Sequence, residues 1–413
     1  MADVRLHLSI STTDVPIPAE TGPAVPHSSV SYGPQSLKDT SGTDCSMGLP
    51  YRLVMRPAMR FIDSESAHQI SLRVLSSMGQ SRSSQKLLGA MYRTPSLPIT
   101  VFGRLFRHPL GLAAGFDKSA AALESWPALG FSWSEYGGIT RYPQEGNPKP
   151  RMFRSDSDAA LINRMGFNNP GASAVRDSLI ARRAAGRWPE TPVAANIGRS
   201  KNVDNDRAPQ DYSETMDILY DVADFFVLNI SSPNTPDLRE LQTAEHVREV
   251  VRSCDRIRDR KGGAKRLLLK LSPDLDDEIL LSCVGAALSV GIDGFVASNT
   301  TISRPPPSNT RSRRFLAESG GLSGRPLHQR SVEMIGSIYD SVGDRVPIVG
   351  CGGIESGATA WNAITNGSSL IQLYSAMVFH GPSVVSKIVK DLKKRVDAER
   401  FQDLDEAVGY ARN

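Results

Sequence analysis

Cysteine is scarce in this chain and never paired in sequence. Cys45, Cys254, Cys283 and Cys351 lie far apart in 413 residues, with no CxxC motif. That pattern argues against a disulfide framework and a cysteine-based zinc site, and it suits a reducing compartment. No apolar run approaches the ~18 to 20 residues needed to span a bilayer. The formal net charge of +4 is too small to argue for nucleic acid. No GxGxxG follows the first strand-like run, which weakens the case for an open, doubly wound nucleotide-binding sheet.

Charge is present but unevenly placed. Between Leu49 and Leu110, nine basic residues (Arg52, Arg56, Arg60, Arg73, Arg82, Lys86, Arg93, Arg104 and Arg107) face two acids, Asp63 and Glu65. Such a segment is either a solvated face or one that meets anionic lipid. Residues 1–48 are rich in Ser, Thr, Pro and Gly and are expected to be disordered. With five acids and one Arg, Arg5, they do not read as a mitochondrial presequence. From Leu49 the stretch LPYRLVMRPAMRF, broken at Pro57, precedes SESAHQISLRVLSSM, which Asp63 or Ser64 can cap. The pair reads as an amphipathic helical extension over 49–95, either packed on the following domain or lying in a membrane interface.

Beyond residue 108 eight short apolar or β-branched runs alternate with helical periods: LGLAAGF, FSWSEYGGIT, TPVAANIG, DFFVLNIS, RLLLKLS, GFVASNT, PIVGCGG and LIQLYSA. Eight such repeats predict an α/β fold, a (β/α)8 TIM barrel over 96–398, followed by a tail over 399–413. The C-terminal ends of the runs are polar or glycine-rich, and barrel active sites form at that rim. PIVGCGGIESG with the following Tyr374-Ser375 suits a phosphate-bearing ligand, since the glycines allow close approach and a helix opens near Ser356 or Gly357. VLNISSPNTP ends a buried strand in two serines and two asparagines pinned by Pro233 and Pro236, which is either a capped turn or part of a site.

GLAAGFDK, YPQEGNPKPRMFR, INRMGFNN, VLNISSPNTPDLR, SNTTISR, ESGGLSGRPL, VPIVGCGGIESG and IQLYSA, in this order, closely resemble dihydroorotate dehydrogenase. The membrane-associated, quinone-using class 2 form of that family fits best, from about Tyr51 to near Val396. The resemblance implies oxidation of dihydroorotate to orotate in pyrimidine (UMP) biosynthesis, with one FMN per chain and a membrane quinone as final acceptor. It implies no metal and no nucleic-acid partner. The chain would sit peripherally on the cytoplasmic side of a bacterial-type cell membrane rather than at the mitochondrial inner membrane.

Carried over by motif, Ser232 would be the catalytic base and Thr235 its relay. The substrate would meet Lys118, Asn163, Arg164, Met165, Gly166, Phe167, Asn229, Asn234, Asn299 and Thr300. Flavin contacts would come from Ala113, Ala114, Gly115, Phe116, Asp117, Gly138, Asn196, Asn229, Lys270, Ser298, Gly324, Gly353, Tyr374 and Ser375. His68, Arg154 and Tyr374 would line the quinone tunnel. Read without the family, Lys118 is a solvated cation and His68 a helix-surface histidine. Three positions depart from the family pattern: Gly138 stands where Ser or Thr is usual, Gly198-Arg199-Ser200-Lys201 replaces GKNK, and Ser298 replaces Thr. A related FMN barrel with a soluble acceptor, or a flavin binder without turnover, are the competing expectations.

Overall fold

The computed structural model describes residues 62–412. The stretch expected to be disordered, residues 1–48, and the basic segment around Leu53, Met55 and Met59 lie outside them. Helix α1, Ser64–Gly79, begins where the Asp63 carboxylate accepts the N–H groups of Glu65 and Ser66 at 3.3 and 2.8 Å. Such a cap satisfies amides that the first helical turn leaves without partners. Ser81 starts α2, Arg82–Met91, in the same way. The sequence locates α1 and its cap but not α2, whose apolar residues Leu87, Leu88 and Met91 make too short a stripe.

A hairpin of β1 (Ile99–Val101) and β2 (Arg104–Phe106) leads into the barrel. Strands β3 (Leu110–Leu112) and β4 (Trp133–Ile139) follow, and an antiparallel pair, β5 (Met152–Ser155) and β6 (Ala160–Asn163), is inserted before the third barrel strand. Next come β7 (Val193–Ile197), β8 (Phe225–Asn229), β9 (Arg266–Lys270) and β10 (Gly294–Ala297). A second insertion carries β11 (Gly321–Gly324), before β12 (Ile348–Cys351) and β13 (Ser368–Leu373) complete the set. Pairing runs in parallel around a closed ring, β10-β12-β13-β3-β4-β7-β8-β9, so each of the eight strands has two neighbours and no edge remains. All eight correspond to the runs named above.

Both faces of parallel strands are covered, which is why these runs are continuously apolar rather than alternating. Leu267, Leu268 and Leu269 of β9 and Val193, Ala194 and Ala195 of β7 are wholly buried. Gly111 in β3 has a steric reason. A Cβ there would lie 2.2 Å from the Trp133 indole, whose Nε1 donates to the Pro109 carbonyl. Ser356 and Thr359 cap the helix Gly357–Thr365 reciprocally, where the sequence placed its start.

Two features were not legible beforehand. Strands β5, β6 and β11 form a three-stranded antiparallel sheet from insertions after β4 and β10, pairing Asn163 with both Met152 and Gly321. Four-residue strands give almost no periodic signal. Residues after 399 also pack firmly: Leu404 and Ala407 are wholly buried, and the Gly409 and Ala411 amides donate to the carbonyls of Ile364 and Thr365.

Candidate active site

One cavity of about 1090 Å³, counting its open mouth, lies at the C-terminal rim of the barrel. Its walls gather residues far apart in sequence: Ala113, Ala114, Gly115 and Lys118 after β3, Gly138 in β4, and Asn163, Met165, Gly166 and Phe167 after β6. Asn229, Ser232 and Asn234 come from the end of β8, Lys270 from β9, and Ser298, Asn299 and Thr300 from the end of β10. Gly324, Gly353, Tyr374 and Ser375 complete the expected set. Strand register places Asn229 directly beside Lys270.

A line of buried amides organises the floor. Asn196 donates to Glu135 Oε1 at 2.6 Å and accepts from Asn229 Nδ2 at 2.9 Å. Asn229 Oδ1 in turn accepts from Asn299 Nδ2 at 3.1 Å, and Asn299 also donates to Ser231 Oγ at 2.9 Å. Asn234 Nδ2 donates to Asn163 Oδ1 at 3.1 Å, and its main-chain N–H points at Ser232 Oγ, 3.3 Å away. Each amide is thereby held in one orientation, as a planar ligand with alternating donors and acceptors requires.

Shape is set by glycine. The Phe167 ring lies in a slot between Gly138 and Gly198, where a Cβ would approach it to 2.6 and 2.7 Å. The departure at Gly138 therefore has a local consequence: in this chain the position is filled by the Phe167 ring. At Gly321 a Cβ would overlap the Thr300 hydroxyl, so Gly321 frees room for that side chain.

Two lysines, Lys118 and Lys270, face the cavity. Lys270 is only 5% exposed and has no hydrogen-bond or ion-pair partner among the described residues. A buried ammonium without a partner is costly, so this wall is built for an electron-rich group. Lys118 is brought down to about 8 by burial, with Arg151 pushing the same way and Glu65 opposing. Below that pH it presents one compact positive charge.

Seven expected residues do not line the cavity. Asn196 sits one layer behind, orienting Asn229. Asp117 is buried and spends its carboxylate on the amides of Ala121 and Ala122 and on Trp126 Nε1. Phe116 packs edge-on between His68 and Tyr374, at ring separations of 4.9 and 5.2 Å. His68 thus reaches the site through Phe116, and burial brings it down to about 4, with Lys118 pushing the same way, so its ring is neutral at pH 7. Arg154 lies on β5 opposite Leu161. Arg164 turns outward to Glu318 at 2.9 Å. Thr235 is buried, its hydroxyl has no hydrogen bond among the described residues, and it is not joined to Ser232. Glu135 and Gln372 went unread; a Glu within an apolar strand was the available signal.

The family model for dihydroorotate dehydrogenase matches residues 96–396. The chain belongs to the dihydroorotate dehydrogenase family. A Gloeobacter violaceus protein named dihydroorotate dehydrogenase (quinone) is 42% identical over 362 residues, covering 87% of this chain and 99% of its own. The Mycobacterium tuberculosis protein of the same name is 40% identical, covering 88% and 98%. The Gloeobacter alignment is longer than everything after residue 95, so the likeness takes in residues ahead of the barrel as well. Among solved structures, the Eimeria tenella dihydroorotate dehydrogenase in complex with ferulenol superposes with a TM-score of 0.78 at 32% identity, covering 87% of this chain and all of that one. Its ligand-free form gives 0.75 at 33% identity, covering 84% and 99%. For this family member, every wall residue named above falls within residues 96–396.

Proposed function

We propose that this protein oxidises dihydroorotate to orotate in pyrimidine (UMP) synthesis, with FMN as hydride acceptor and a membrane quinone as final oxidant. The observation that carries the reading is the convergence of Ser232, Lys118 and the unpaired Lys270 on one cavity. The cavity suits FMN on two counts. Its Gly352-Gly353 turn presses so closely on His328 that a Cβ on Gly353 would lie 2.7 Å from the His328 nitrogen, leaving main chain to meet a phosphate. Gln372 Oε1 and Thr300 Oγ1 are buried on its walls without hydrogen bonds among the described residues.

Gly353, Tyr374 and Ser375 would hold the phosphate end, and Ala113, Ala114, Gly115, Gly138, Lys270, Ser298 and Gly324 would surround the ring system. A bound FMN would supply the acceptor for the hydride that leaves C6 of the substrate. Lys270 would stabilise negative charge on the neighbouring ring edge. Lys118 would meet the substrate carboxylate, and Asn163, Asn229, Asn234 and Asn299 its carbonyl and N–H groups. Ser232 would take the C5 proton. A serine is a poor base in water, and the Asn234 N–H aimed at Ser232 Oγ favours the oxygen as charge develops. Thr235 would accept the proton onward once a side-chain rotation or a water connects the two hydroxyls.

Electron exit would run past Tyr374, Phe116 and His68 towards α1. Ile70 and Val74 of α1 and Leu87 and Met91 of α2 are exposed apolar residues, 40–59% accessible. With Arg73, Arg82 and Lys86 nearby they form a face suited to an anionic bilayer surface. Among the described residues no helix is long and apolar enough to cross a membrane, so this face would dock peripherally. The test is anaerobic: dihydroorotate should bleach the bound flavin, and ubiquinone or menaquinone, not fumarate, should restore its colour. A flavin that stays yellow with dihydroorotate overturns the reading.

A further inference from the structure

The helix that bears the apolar face also carries a buried acid pointed the other way. Glu65 of α1 is 4% exposed, and its carboxylate accepts Arg151 Nε at 3.0 Å and Nη2 at 2.8 Å. Burial works against that charge, but Arg151, Lys149 and Lys118 together hold the carboxyl below its usual range. The same guanidinium donates Nη1 to the carbonyls of Glu145 and Asn147, at 2.7 and 2.9 Å. Asn147 Nδ2 then donates to the carbonyls of Arg164 and Asn234, both at 3.0 Å. Asn234 holds Asn163 through its side chain and meets Ser232 Oγ through its main chain. Two glycines confirm how tightly these loops are stacked. A Cβ on Gly146 would meet the Met165 carbonyl at 2.3 Å, and one on Gly166 would meet the Asn147 amide at 2.9 Å.

We propose that Glu65, on the helix assigned to the quinone side, is a positioning residue for the substrate half of the site, acting through Arg151 and Asn147 on the loop that carries Ser232 and Asn234. The inference rests on the function proposed above. Removing one member of a buried ion pair leaves the other charged and unmatched, so Arg151 must turn towards water. Its hydrogen bonds to residues 145 and 147 are then lost, and Asn147 no longer clamps the Asn234 carbonyl. The helix itself stays docked, because Ser125 Oγ donates to the Leu75 carbonyl at 2.6 Å and Asp63 still caps the first turn. Substrate geometry is therefore expected to suffer while the quinone end is left in place.

The experiment uses full-length holoenzyme bearing Glu65→Gln, Glu65→Asp, Asn147→Ala and the Glu65→Gln/Asn147→Ala pair. Orotate binding is read by calorimetry, flavin reduction by stopped flow, and quinone reoxidation on photoreduced protein. Glu65→Gln should weaken orotate binding and slow flavin reduction by ~5- to 10-fold, the lower range of couplings between sites, with reoxidation unchanged. Glu65→Asp should recover part of the loss. The Glu65 effect should shrink in the Asn147→Ala background, since both changes break one path. Additive losses, or wild-type orotate binding with impaired reoxidation alone, overturn the proposal. A wild-type protein that neither binds orotate nor bleaches would instead overturn the function on which it rests.

Discussion

The barrel rim and the α1–α2 pair spend their side chains in opposite ways. At the rim, polar side chains hold one another in place: Glu135, Asn196, Asn229 and Asn299 form a single hydrogen-bonded line. On the helices, apolar groups are left in the open, with Val74 53% and Leu87 59% accessible. Each arrangement costs free energy in the protein alone, because buried polar groups must be satisfied and exposed apolar ones are hydrated. Each region is left with groups that a partner would match; under the proposed function these partners are a small planar anion at the rim and a bilayer surface at the helices. Glu65 keeps the two from being independent.

The sharpest way to break the contrast is at the rim. Ser232→Ala should retain flavin and nearly normal orotate affinity while slowing flavin reduction by at least ~100-fold, a typical general-base contribution. Stopped-flow reduction near the wild-type rate would remove Ser232 from its role. The helix face is tested next. Val74→Asp with Leu87→Asp should lower partition onto anionic vesicles by ~10-fold or more, since each apolar side chain buried contributes roughly 1.5–3 kcal/mol. Reoxidation by long-tailed quinone should fall with it, and reoxidation by a small soluble dye should not. Equal loss with both acceptors would show the face to be structural.

Lys118 supplies a pH test of the rim. Its pKa falls to about 8 through burial, so the free site carries the positive charge below that pH and loses it above. Orotate stays anionic throughout. Affinity should therefore be level near pH 7 and fall with rising pH, approaching ~10-fold per unit above pH 8. Lys118→Ala should lower affinity about tenfold or more at pH 7, a charge-assisted hydrogen bond contributing ~1.5–3 kcal/mol, and should abolish this pH dependence. A variant that kept the wild-type profile would show that another group titrates.

The barrel was legible because burial on both faces imposes continuous apolar runs, and eight of them set the strand count. Ser232, Lys118 and Asn299, which line the cavity, were singled out by the family-like motifs that carry them, since Lys118 read alone passes for a solvated cation. What stayed hidden is held by contacts that no local pattern encodes. Glu65 and Arg151 meet across 86 residues, and Gln372 meets Glu135 across 237. Arg164 sits inside a matching motif yet turns to Glu318, 154 residues on, because a side chain's direction depends on its partner. The segment 49–95 reads as an extension that either packs on the following domain or lies in a membrane interface, and its Glu65 is buried in the barrel's loop network.

Gly138 offers the finest adjustment of the rim. The family resemblance leads to an expectation of Ser or Thr there, and the loss of a hydroxyl first suggests only a missing flavin hydrogen bond. The packing adds a second consequence, because a Cβ at this point would lie 2.6 Å from Phe167 Cε1 and 3.1 Å from Asn196 Oδ1. Gly138→Ser must push the ring aside, and Gly198 closes the opposite wall of the slot. Overpacking of this kind costs about 1–3 kcal/mol, visible as a lower melting temperature. Displacing Phe167 from the substrate loop should also raise the KM for dihydroorotate a few-fold, while dye and quinone reoxidation stay unchanged because the helices are untouched. Pairing the change with Phe167→Leu should recover the stability and not the KM. If Gly138→Ser instead stabilises the protein and tightens flavin binding, the ring is free to leave the slot, and the restored hydroxyl outweighs the packing.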